Sequence, residues 1–127
     1  MEFNLSDSYA TDEKIMKVFD DWFDPCPLNK HRTDLDIDGL HIDWKDKTYV
    51  NPPYSKPLPW ILKAITENMK GKTIVLLLRM DTSTKWFREL QEAGAIFMWI
   101  NGRLRFRTGK PAPFPSMLVL LAGDKLI

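Results

Sequence analysis

Ile74-Val75-Leu76-Leu77-Leu78 is an unbroken run of aliphatic side chains, entered from Thr73 and left at Arg79. Successive side chains of a strand point to opposite faces, so a continuous apolar run needs cover on both. That requirement is met at the centre of an α/β sheet, and the flanking sequence supplies its layers. Leu58 to Met69 predicts a helix, with Pro59 in a first turn where a missing N–H costs nothing and Gly71 past the end. Ser83 to Ala93 predicts the next helix, closed by Gly94. Thr48 to Asn51 predicts a strand stopped by Pro52-Pro53, since proline cannot continue a ladder. A short strand leads into Phe23-Asp24, and Ser116 to Leu121 predicts the last strand. Residues 11–22 predict a helix with Ile15, Met16, Val18, Phe19 and Trp22 on its apolar face. Ile96 to Ile100 and Leu104 to Phe106 flank Asn101-Gly102, a type I′ hairpin signal. The expected class is α/β, with helices on both faces and an antiparallel C-terminal hairpin.

A chain of 127 residues predicts one domain, residues 1–127. No apolar stretch exceeds six residues, as in Met117 to Ala122, far short of the roughly 20 that span a bilayer. Met1-Glu2-Phe3-Asn4 is no signal peptide, and the single cysteine, Cys26, excludes an internal disulfide, so a cytoplasmic location is expected. Charge is uneven: residues 1–55 carry 12 acidic against 6 basic side chains, and residues 56–127 carry 12 basic against 5 acidic. The basic part suits a polyanionic partner, and the alternative is a pair of solvated faces.

Asn51-Pro52-Pro53-Tyr54 follows a predicted strand and precedes a helix, at the edge where open α/β sheets bind ligands. It matches the Asn/Asp/Ser-Pro-Pro-aromatic signature of amino-methyltransferases that use S-adenosylmethionine. An exocyclic amine such as adenine N6 is a poor nucleophile, because its lone pair is delocalised into the ring. The Asn51 side-chain oxygen and the Pro52 carbonyl are two acceptors that can hold both N6 hydrogens and aim the lone pair at a methyl donor. The stiff Pro52-Pro53 backbone fixes that carbonyl. Tyr54 offers a face on which a flipped-out base can stack. The structural alternative is a plain turn after a strand.

From about Ser8 to Leu121 the chain resembles the phage-type, Dam-like DNA N6-adenine methyltransferases. The resemblance runs in order through Tyr9-Ala10-Thr11, Phe23-Asp24-Pro25-Cys26, Asp38-Gly39-Leu40, Trp44 and Asn51-Pro52-Pro53-Tyr54. It continues through Leu76-Leu77-Leu78, Asp81-Thr82, Lys85-Trp86-Phe87, Gly102-Arg103-Leu104-Arg105-Phe106 and Phe114-Pro115-Ser116. It implies a Rossmann-like methyltransferase sheet, S-adenosylmethionine as cofactor and DNA adenine as acceptor. It also implies catalysis by Asn51, Pro52, Pro53 and Tyr54, and cofactor binding by Tyr9, Thr11, Asp24, Cys26 and Asp38. Asp24 would then serve the methionine or ribose end and Asp38 the adenine; the alternative is two solvated loop carboxylates. The chain departs from the pattern twice: Asp12 replaces the usual proline after Thr11, and no Gly-x-Gly follows Asp24, the six glycines beginning at Gly39. The segment between Asp24 and Asn51 is too short for further βα units, so the sheet is trimmed there.

Arg103, Arg105 and Arg107 alternate with Leu104 and Phe106, which on a strand places the guanidiniums on one face. With Lys110 they form a candidate phosphate-binding stripe, or else a solvated strand face. Phe114 is a second candidate stacking surface, and the five tryptophans read as core. Asp34, Asp36, Asp38 and Gly39 imitate the start of a calcium loop, but Lys45 stands where a bidentate glutamate is required. His31 and His41 lack partners at zinc-ligand spacing, so no metal is expected. No separate recognition domain fits this length, which leaves loose specificity, a homo-oligomer or a second specificity subunit. The family implies a bacterial or archaeal host cell and a phage or prophage source. Rival readings are the same chemistry on RNA or protein glutamine, and a degenerate module that binds nucleic acid or protein without methylating.

Overall fold

A computed structural model of the protein describes residues 17–26, 39–53, 55–100 and 115–124. Among the described residues four strands form one sheet: β1 (Lys47–Val50), β2 (Thr73–Arg79), β3 (Ile96–Trp99) and β4 (Ser116–Leu121), in the order β1-β2-β4-β3. β1 and β2 are parallel, with Val50 opposite Leu76. β4 is antiparallel to both β2 and β3, so β1, β2 and β3 share one direction and the last described strand lies between two of them. On the outer side of β1, Phe23 makes a parallel bridge to Thr48 through Phe23 N–H to Lys47 O (3.0 Å) and Tyr49 N–H to Phe23 O (2.9 Å).

Helix α1 (Leu58–Met69) joins β1 to β2, and α2 (Lys85–Glu92) joins β2 to β3. Pro59 lies in the first turn of α1, and Gly71 follows its end at φ +97°, a conformation that costs glycine little. Thr84 caps α2 by accepting the Phe87 N–H, satisfying one of the donors a helix start leaves open. Both helices cover the same face. Trp60, Ile61 and Ala64 of α1 and Trp86 and Leu90 of α2 join Ile74, Leu76, Leu78, Met117, Val119 and Leu121 in one core. Of the helices expected on both faces, α1 and α2 share this one, and the helix expected over 11–22, described only from Lys17, reaches the other face through Phe19. β1, β2 and β3 are laid down in one direction across the sheet, and successive crossovers of one hand then stay on one side.

On the other face Val75 and Leu77 are buried, and Phe19 stacks on Tyr49 with centroids 4.7 Å apart. Trp22 meets the edge of Phe19 at 5.1 Å. The expected helix over 11–22 is helical at Lys17 and Val18 and turns from Phe19; residues 11–16 lie outside the described part. Val18 is exposed, unlike its assigned place in the apolar face. The described partner of β3 is β4, and residues 101–114 of the expected hairpin fall outside the description. Trp44, Trp60 and Trp86 are core residues, whereas Trp99 on β3 is exposed. Among the described residues no helix is long and apolar enough to cross a membrane.

Candidate active site

β1 ends at Val50, and Asn51-Pro52 leave the sheet at its carboxyl edge. Asn51 is half-buried, Pro52 buried and Pro53 exposed; Tyr54 lies outside the described residues. The turn bond after the motif runs from Lys56 N–H to the Pro53 carbonyl (3.2 Å), one residue past the carbonyl that amine chemistry would use. The Asn51 Oδ1 is buried with no hydrogen-bond partner. A buried acceptor left unpaired costs about 1–3 kcal/mol, and such atoms are rare enough to call for a reason.

The Phe23 segment runs parallel to β1, so Asp24-Pro25-Cys26 emerges at the same edge, next to Asn51. The Asp24 Oδ1 accepts the Cys26 N–H at 2.9 Å, closing an Asx turn. Asp24 is exposed while Pro25 and Cys26 are buried. Tyr9, Thr11 and Asp38, the other expected cofactor residues, lie outside the described residues, as do Arg103, Arg105, Arg107, Lys110 and Phe114.

Gly39, the residue after Asp38, packs directly on this turn. A Cβ at Gly39 would overlap the Pro25 carbonyl oxygen and stand 2.9 Å from the Trp60 ring. The Gly39 carbonyl accepts from Trp44 Nε1–H (2.7 Å), and the Trp44 N–H donates to Glu67 Oε1 (2.7 Å) on α1. Glu67 is buried, and Lys63 (3.4 Å), Lys70 (3.0 Å) and Lys72 (3.1 Å) surround it. Burial pushes its pKa up, but the Trp44 N–H, Lys70, Lys72 and Lys63 outweigh this and hold it at about 2.

On the far side of Asn51 the same edge carries two residues that sequence reasoning missed. Arg79, at the end of β2, and Ser116, at the start of β4, are cross-strand partners. The Arg79 Nε and Ser116 Oγ are buried and unpartnered, like the Asn51 Oδ1. The Arg79 guanidinium lies over the Trp86 ring at 5.9 Å and 3.7 Å from Asp81. A signal existed in the arginine that ends the aliphatic run, but its cross-strand serine is distant in sequence. Lys85 and Arg88, both exposed, begin α2 at this edge. Among the described residues no three His, Cys, Asp or Glu side chains gather as a metal site requires.

A family model described as DNA N-6-adenine-methyltransferase (Dam) matches residues 7–116. A DNA N-6-adenine-methyltransferase of Haemophilus phage HP1 is 41% identical over 90 residues, covering 64% of this chain and 52% of that protein. A protein of the same description from Escherichia phage T1 is 39% identical over 56 residues, 44% of this chain and 24% of that protein. The chain thus spans about half the length of the first of these curated relatives and about a quarter of the second. No solved structure matches it. The matched region takes in the Asp24 turn, the Asn51-Pro52-Pro53-Tyr54 motif and the sheet up to the start of β4, and the chain belongs to the DNA N-6-adenine-methyltransferase (Dam) family.

Proposed function

We propose that this chain transfers a methyl group from S-adenosylmethionine to adenine N6 in DNA, on a Rossmann-like methyltransferase sheet. The observation that carries the reading is the buried, unpartnered Asn51 Oδ1, set at the carboxyl end of β1 beside the Asp24 turn. S-adenosylmethionine supplies, when bound, an electrophilic methyl group on sulfur. The residues present fit that cofactor: Asp24 offers an exposed carboxylate at the sheet edge, and Gly39 leaves the space in which its turn is seated. Cys26 shapes that turn through its N–H, and Thr11, Tyr9 and Asp38 complete the proposed set.

Asn51 Oδ1 and the Pro52 carbonyl accept the two N6 hydrogens, which orients the nitrogen lone pair. Pro53 keeps the Pro52 carbonyl in place, and Tyr54 stacks the flipped-out base. No strong base is needed, because the nitrogen becomes acidic only after methylation and can lose its proton afterwards. Lys85 and Arg88, with the proposed stripe of Arg103, Arg105, Arg107 and Lys110 and the stacking Phe114, hold the DNA. Removing a preorganised hydrogen-bonding group of this kind costs roughly 10²–10³ in kcat. Asn51→Ala is therefore expected to lose N6-methyladenine formation on unmethylated duplex or single-stranded DNA by at least that factor, with its fold intact. Wild-type protein that is folded yet labels no DNA adenine would redirect the reading to RNA, protein glutamine or a binding-only module.

A further inference from the structure

The Asp24–Cys26 turn contains no glycine, and nucleotide-binding turns ordinarily need one so that backbone can approach ligand and helix closely. Gly39 supplies that freedom from elsewhere in the chain. It lies between the Pro25 carbonyl and the Trp60 ring, in a gap that any side chain would fill. Its carbonyl is fixed by Trp44, whose backbone is fixed by Glu67 of α1, so the gap cannot widen without breaking buried bonds.

We infer that Gly39 is the positioning residue for the cofactor, seating the Asp24–Cys26 turn at the depth that aligns it with Asn51, with Trp44 and Glu67 holding Gly39 in turn. This rests on the reading that the turn binds S-adenosylmethionine. A methyl group at residue 39 meets backbone on one side and a buried indole on the other, so the turn must move outward. Asp24 and the Cys26 N–H move with it, while Asn51, carried by the end of β1, does not. A misplacement on the order of 1 Å at a reacting site costs about 10²-fold, and a binding turn displaced that far is expected to lose at least tenfold in affinity.

The fold contains its own control. A Cβ at Gly123 would overlap the Gly71 carbonyl oxygen, an equally severe contact at the opposite, amino end of β2. The test is the Kd of S-adenosylhomocysteine by calorimetry for wild type, Gly39→Ala, Gly123→Ala and Trp44→Phe, at a temperature where near-UV circular dichroism shows each folded. Gly39→Ala is expected to raise Kd at least tenfold. Trp44→Phe, which keeps an aromatic ring but loses the N–H to Gly39 with part of the indole, should raise it about threefold, and Gly123→Ala should leave it at the wild-type value. Equal Kd for wild type and Gly39→Ala, or equal losses in both alanine variants, overturns the inference. If Gly39→Ala does not fold, Trp44→Phe decides alone: unchanged affinity overturns the inference. A wild-type protein that binds neither S-adenosylmethionine nor S-adenosylhomocysteine instead overturns the cofactor reading, and the role of Gly39 with it.

Discussion

Glu67 stays ionised inside the protein because a peptide N–H and three ammonium groups are arranged around it. Its folded-state pKa, about 2, lies below the ordinary 4.5. A depressed carboxylate contributes stability that is complete above its unfolded pKa and is lost as pH falls through the folded one. The stability difference between wild type and Glu67→Gln should therefore be constant above about pH 4.5 and shrink towards pH 2. At neutral pH the substitution is expected to cost about 1–3 kcal/mol, since charged hydrogen bonds become neutral ones. Urea midpoints of the two proteins across that range provide the check, and parallel curves would contradict it. Sequence alone showed Glu67 only as a polar residue late in a helix. Its role comes from Trp44, 23 residues earlier, and no local pattern encodes that contact.

At the scale of elements, local chemistry was enough wherever one segment defines its own ends. The proline-opened, glycine-closed α1 is helical over Leu58–Met69 as expected, and β2 and β4 fall where the aliphatic runs lie. The cap of α2 is equally local. Thr84→Ala removes the acceptor for the Phe87 N–H and is expected to cost about 1 kcal/mol, which for a chain of this size lowers Tm by about 4 °C. Calorimetric melting checks it, and an unchanged Tm would mean that water replaces the cap without loss. Pairing between segments was less legible. The hairpin expected at Asn101-Gly102 falls outside the described residues, and the pairing that is described, β3 with β4, joins segments separated by residues 100–115. The placement of Asn51 at a sheet edge was readable from its prolines. Of the company it keeps there, Asp24 was marked by the motif around it and Arg79 by its place at the end of the aliphatic run, whereas the pairing of Arg79 with Ser116 depends on strand order.

For the whole molecule, the division between an acidic first part and a basic second part acquires a direction. β2 and α2 belong to the basic part, and the edge they share with Asn51 carries Arg79, Lys85 and Arg88. If DNA docks there, each neutralised phosphate releases counterions, with a slope of about 0.9 per contact in a log–log plot of duplex affinity against salt. Replacing Arg103, Arg105 and Arg107 together with glutamine should flatten that slope by roughly 2–3 and weaken binding at low salt. Fluorescence anisotropy titrations between 50 and 200 mM salt would read it. An unchanged slope would return the stripe to solvent. The insertion of β4 between β2 and β3 also bears on how the protein comes into being. On a ribosome, residues 96–99 emerge well before residues 116–121, so β3 cannot take its place until the strand that separates it from β2 has been synthesised. The nascent chain can assemble β1, α1 and β2 early, but it must hold β3 in reserve until β4 has emerged to join it to the sheet.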